Sequence, residues 1–105
     1  MTYQDGYADK SAREIIGLLG LRFRSYRQRM GLTQADVAAH AGVSVLTVVK
    51  FESGRAENVS MRTFLSLLRS IGALADMEGV LPELPPDPYS TPENKSVQRI
   101  RPQKI

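Results

Sequence analysis

Residues 33–54 read TQADVAAHAGVSVLTVVKFESG, and the spacing inside this stretch limits the fold more than any other feature of the chain. Thr33 followed three residues later by Asp36 is a helix-start pattern, in which side chain and backbone cap each other. A helix of about two turns is expected from Gln34 to Ala41. Gly42 then takes the left-handed conformation that ends it. Ser44 caps a second helix running to about Ser53, with Gly54 as its stop. Val37, Ala38, Ala41, Val43, Val48 and Phe51 fall where the two helices must touch each other or the core. Ala38 is small because the second helix crosses there. Val45 and Leu46 occupy the first turn of the second helix, although its buried face is already supplied by other residues.

The flanking sequence supplies more helices and no convincing strand. Ser11 with Glu14 is another capping pattern, and apolar residues recur at Ile15, Leu19, Phe23, Tyr26 and Met30, which predicts a helix over about 12–30. Gly17 and Gly20 each cost up to ~1 kcal/mol against alanine and weaken its first half. Ser60 caps a further helix with Met61, Phe64, Leu65, Leu68 and Ile71 as its apolar stripe, and a short fifth is expected over Leu74 to Leu81. From residue 82 the texture changes, since PELPPDPYSTP holds five of the six prolines. Proline blocks helix and removes backbone donors, so this segment reads as an extended linker. The expected organisation is an N-terminal tail (1–10), an all-α domain (11–81, motif about 34–53), a Pro-rich acidic linker (82–94) and a basic disordered tail (95–105).

The chain's net charge of +3 conceals a segregation. Residues 10–71 carry +6 and residues 95–105 carry +4, whereas 1–9 carry −2 and 72–94 carry −5. A basic helical body suits a polyanionic partner, against the plainer reading of a basic solvated surface. With no cysteine there is no thiolate metal site, and with one histidine little is left for a metal cluster or a nucleophile–base pair. No catalytic residue, metal or cofactor is expected. No run is long and apolar enough to span a membrane, and the first residues lack the order of a secretory signal, which together lead to an expectation of a cytoplasmic protein.

The stretch from about Leu19 to Ile71 resembles the phage repressor and Cro group of helix-turn-helix proteins, the XRE family, through the words RQRMGLTQADVA, AGVS and FESGR. The resemblance implies a compact four- to five-helix bundle of the lambda repressor type, with an extended C-terminal tail. It implies a bacterial or phage regulator that inserts the helix after Ser44 into the major groove of double-stranded DNA. On that pattern Val45, Leu46 and Lys50 face base edges, with Thr47 and Val49 near enough to assist. Gln34, Ser44, Ser53, Gly54 and Arg55 hold phosphates, Gln34 at a helix N-terminus. Arg27 and Glu52 match an internal salt bridge. Family members often carry glutamine at the first two groove-facing positions, and Val45 and Leu46 depart from that. The departure suggests reading of thymine methyls and DNA shape, with Lys50 as the polar reader of guanine. Packing against the loop at 55–59, or a partner surface, is the other reading of Val45 and Leu46. Arg22, Arg24 and Arg29 are read as mostly solvated, and His40 as an exposed helix residue.

Relatives bind palindromic operators as two-fold dimers. Leu74, Met77, Val80 and Leu81 are the dimer candidates, unless they only cap the core. The ending LLRSIGALADMEGVLPELPPDPY is similar to the HipB-like antitoxins encoded beside HipA-like kinase toxins. Two functions therefore stand side by side: a dimeric autorepressor, and an antitoxin that neutralises a HipA-like kinase and uses DNA binding for operon feedback.

Overall fold

A computed structural model describes residues 6–89; the expected basic tail at 95–105 and the first residues of the chain lie outside them. Among the described residues the fold is all-helical, with no strand. The elements are a 3-10 turn at Tyr7–Asp9, then α1 (Ala12–Arg29), α2 (Gln34–Ala41), α3 (Val45–Glu52) and α4 (Met61–Ser70), and a second 3-10 turn at Leu74–Gly79. The expected fifth helix is thus present only as the tighter 3-10 form, which suits short pieces at the end of a domain.

Every α-helix starts on a hydroxyl cap. The oxygens of Ser11, Thr33, Ser44 and Ser60 accept the backbone N–H groups of Glu14, Asp36, Thr47 and Thr63 at 3.0–3.1 Å. Glu14 and Asp36 return the bond to the cap's own N–H at 2.8 Å, closing two capping boxes. Such a cap contributes ~1 kcal/mol. At the other end of α2, Gly42 has φ 71°, with its N–H bonded to the Ala39 carbonyl and the Val43 N–H to the Ala38 carbonyl. This paired closure satisfies the last carbonyls and turns the chain sharply enough to start α3 three residues later.

The core consists of Phe23, Val37, Ala38, Val48, Phe51, Leu67 and Ile71. Phe51 is central to it, with ring centroids 5.6 Å from Phe23 and 6.2 Å from Phe64. Ala41 and Val43 pack against this cluster. The apolar stripe expected for α1 is rotated: Tyr26 and Met30 are exposed, and the buried face runs through Gly17, Gly20, Phe23 and Arg27. In α4, Met61 is exposed and Leu67 is the fully buried residue.

Gly17 and Gly20 do not loosen α1. Both are buried, and they are where α1 lies against the end of α3. A Cβ added at Gly17 would sit 2.5 Å from the Gly54 carbonyl oxygen, and one at Gly20 would fall on the Phe51 carbonyl oxygen. The absence of side chains lets two backbones meet, which sets the angle at which α3 leaves the body.

Candidate nucleic-acid interface

The placement of α3 depends on a buried ion pair. Arg27 on α1 donates to both carboxylate oxygens of Glu52, from Nε at 2.6 Å and Nη2 at 2.8 Å. Its Nη1 donates to the Leu32 carbonyl at 2.8 Å, and the Gln34 amide donates to Glu52 at 3.1 Å. The end of α3, the α1–α2 turn and the start of α2 are thereby tied at one point. The hydrogen bond to Glu52 is the main reason the Arg27 pKa is raised; burial opposes it, and the charge of Glu52 adds to it. Every charged group in this cluster has its partner, as burial requires.

With Val48, Phe51 and Glu52 facing inward, the rest of α3 is presented outward. At about 100° per residue, positions 45, 49, 46 and 50 follow one another around a single arc of roughly 140°. They are Val45, Val49, Leu46 and Lys50, with exposures of 45% for Val45, 60% for Leu46 and 39% for Val49. Thr47 lies off this arc. It is half-buried, its hydroxyl is 2.9 Å from that of Ser44, and it lines an open cleft of about 590 Å³ between the end of α3 and the start of α4.

The residues expected to hold phosphates form two groups, one at each end of the motif. Ser53 follows α3; its hydroxyl donates to the Lys50 carbonyl at 2.7 Å and accepts the Arg55 N–H at 3.0 Å. Gly54, at φ 78°, turns the chain between them. This small hydrogen-bonded turn fixes the backbone leading to the exposed Arg55, whose side chain shares the polar cleft with Lys50. Gln34 opens α2. It is half-buried with one amide hydrogen committed to Glu52, and it stands at a helix start, where backbone N–H groups have no intrahelical partner. Ser44 sits between the groups, with its hydroxyl engaged in capping α3.

The geometry is two short helices locked around a tight turn, with the second offering an exposed arc flanked by bases. A family model described as Helix-turn-helix domain matches residues 18–78. The chain belongs to the helix-turn-helix domain family. No curated protein and no solved structure matches the chain. As a helix-turn-helix domain of the XRE-like kind, this unit points to a DNA-binding regulator. Such domains are typically without enzymatic activity. No group of acidic, histidine or cysteine residues suited to a metal occurs among the described residues. None of their helices is long and apolar enough to cross a membrane.

Sequence reasoning missed three features of this domain. Helix propensity concerns one helix at a time and so marks Gly17 and Gly20 as weak points, although their spacing of three residues is a signal of close packing. Thr47 sits on a different side of α3 from Val45 and Leu46, which helical periodicity alone would have shown. Tyr7 was placed in a tail, yet its hydroxyl accepts a 2.9 Å bond from Arg22, with its ring 5.6 Å from the guanidinium; nothing in the local pattern signals that contact.

Proposed function

We propose that the protein is a sequence-specific transcriptional regulator, a dimeric autorepressor that inserts α3 into the major groove of a palindromic operator. The observation that carries this reading is the outward arc of Val45, Leu46, Val49 and Lys50, held rigid from behind by the Arg27–Glu52 pair. Val45, Leu46, Val49 and Lys50 face base edges, with Thr47 at the border of the groove. Gln34, Ser44, Ser53, Gly54 and Arg55 hold the flanking phosphates through side chains and backbone N–H groups. Repression follows by analogy with relatives, because an operator occupied by such a dimer excludes polymerase.

One helix seldom gives enough affinity, so two copies are required. Leu74 and Met77 are half-buried, while Val80 and Leu81 are exposed at 60% and 88%. These four residues make the dimer surface in this reading. Footprinting on the DNA upstream of the chain's own coding region tests it. Two protected half-sites about 34–36 Å apart are expected, one helical turn centre to centre. Protection no better than on unrelated DNA would reject it.

A second reading has an observation of its own. Leu81, Leu84 and Tyr89 are 84–89% exposed in the Pro-rich segment after the helices, an apolar display that a DNA-binding body does not need. It suits an antitoxin that grips a HipA-like kinase toxin and uses DNA binding for feedback. Co-expression with the product of the adjacent reading frame tests this, with a stable complex through gel filtration expected. Elution of the two products apart would set it aside and leave the repressor reading standing.

A further inference from the structure

The first turn of α3 presents hydrocarbon where a reader of hydrogen-bonding edges would present amides or charges. Val45 and Leu46 are exposed at 45% and 60%, and Val49 continues the same surface on the next turn. The hydroxyls of Ser44 and Thr47 at the start of α3 are engaged with each other and with its backbone. Ser44 accepts the Thr47 N–H at 3.1 Å, and the Ser44 and Thr47 hydroxyls bond each other at 2.9 Å. Lys50 is left as the single polar side chain of the arc, at its far edge.

This arc differs from an ordinary protein-docking patch in its charge setting. Lys50 forms one edge of it and lines a cleft together with Arg55. The one carboxylate on α3, Glu52, is 2% exposed and neutralised by Arg27, and Glu57 of the following loop pairs with Arg13 at 2.9 Å. Apolar over most of its width and cationic at one edge, with no unpaired carboxylate on α3, the surface suits an anionic groove with an apolar floor. In the major groove the C5 methyl of thymine is the one apolar projection; the adenine, guanine and cytosine edges offer donors and acceptors. Valine and leucine against those edges would strip water from groups they cannot bond, which penalises the wrong bases.

We infer that Val45 and Leu46 read thymine 5-methyl groups, so that each operator half-site carries thymines opposite the first turn of α3 and a guanine opposite Lys50. The inference rests on the DNA-binding reading above and specifies what that surface recognises.

The test begins with duplexes selected from a random library by the full-length protein. Each thymine of the enriched duplex is then replaced by deoxyuridine, which pairs identically and lacks only the methyl. Affinity is measured by fluorescence anisotropy for the wild type and for Val45→Ala and Leu46→Ala. Both positions are exposed, and thermal melts establish that the variants fold. In the wild type, one to three positions per half-site should lose about fourfold on methyl removal. At those positions each variant should bind thymine and uridine duplexes alike at the methyl it contacted. An enriched duplex bound specifically, with uridine tolerated everywhere, would overturn the inference and leave DNA recognition intact. A uridine penalty unchanged in both variants would also overturn it, since the methyl would then act through DNA shape. Failure to enrich any sequence would remove the DNA-binding reading itself and assign the arc to a protein partner.

Discussion

Replacing Arg27 with methionine keeps the length of the side chain and removes its charge and all its donors. Glu52, 2% exposed, then loses its bonds at 2.6 and 2.8 Å and keeps only the Gln34 amide at 3.1 Å. The Leu32 carbonyl loses its 2.8 Å donor as well. Breaking one side of a buried pair costs about 3–5 kcal/mol, because the remaining charge has no compensation. For a domain of this size, 3 kcal/mol corresponds to a melting-temperature fall of at least about 12 °C. That is a large share of a total stability of roughly 5–15 kcal/mol. Urea and thermal unfolding followed by far-UV circular dichroism read the loss directly. The double variant Arg27→Met/Glu52→Leu should recover much of it, since apolar residues of similar volume can replace such a pair. A loss under about 1 kcal/mol for the single variant, the level of an exposed surface pair, would refute the claim that this cluster fixes α3. Equal losses in the single and double variants would refute it too.

Three further outcomes follow from the same geometry. Gly20→Ala drives a Cβ onto the Phe51 carbonyl and should destabilise by about 1–3 kcal/mol or more, although alanine favours helix; a stabilised variant in the same melts would contradict the packing described. Ser60→Ala removes the cap on the Thr63 N–H and should cost ~1 kcal/mol in urea unfolding, whereas no change would mean that the start of α4 is held by other contacts. The Thr33 hydrogen bonds, backbone first, lower the Asp36 pKa from its usual 3.8. The stabilisation from this depressed carboxylate is therefore present above 3.8 and lost as pH falls through the folded-state value. The Asp36→Asn variant should show a smaller acid-side loss than the wild type; parallel pH curves would exclude the linkage.

Much of this domain was legible because its signals are local. Ser11, Thr33, Ser44 and Ser60 mark helix starts through bonds spanning three residues, and Gly42 marks a turn that L side chains rarely adopt. Val37, Ala38, Val48 and Phe51 sit in the core because the spacing of the motif leaves them no other place. What was misread depends on two elements at once. The α1 face was misplaced because its register is set by Arg27, a charged residue buried only because Glu52 on α3 meets it; a hydropathy pattern counts arginine as exterior. Gly17 and Gly20 carry no side chain to announce a contact, and the contact is with the α3 backbone. In α4 most of the apolar residues are half-buried, so the stripe did not single out Leu67. The candidate interface was visible as residues on the first turn of α3, and periodicity already sets Thr47 apart from them; the Ser44 bond and the cleft that Thr47 lines needed the structure.

The most direct test of DNA recognition by α3 is anisotropy with an enriched duplex and a scrambled duplex of equal composition, over a salt series, for wild type and Lys50→Ala. A wild-type preference of at least ~10³ for the enriched duplex is expected. Lys50→Ala should narrow this gap while changing affinity for the scrambled duplex much less. Equal affinity for both duplexes, with a steep salt dependence, would mean that only phosphates are held and would contradict base reading by α3.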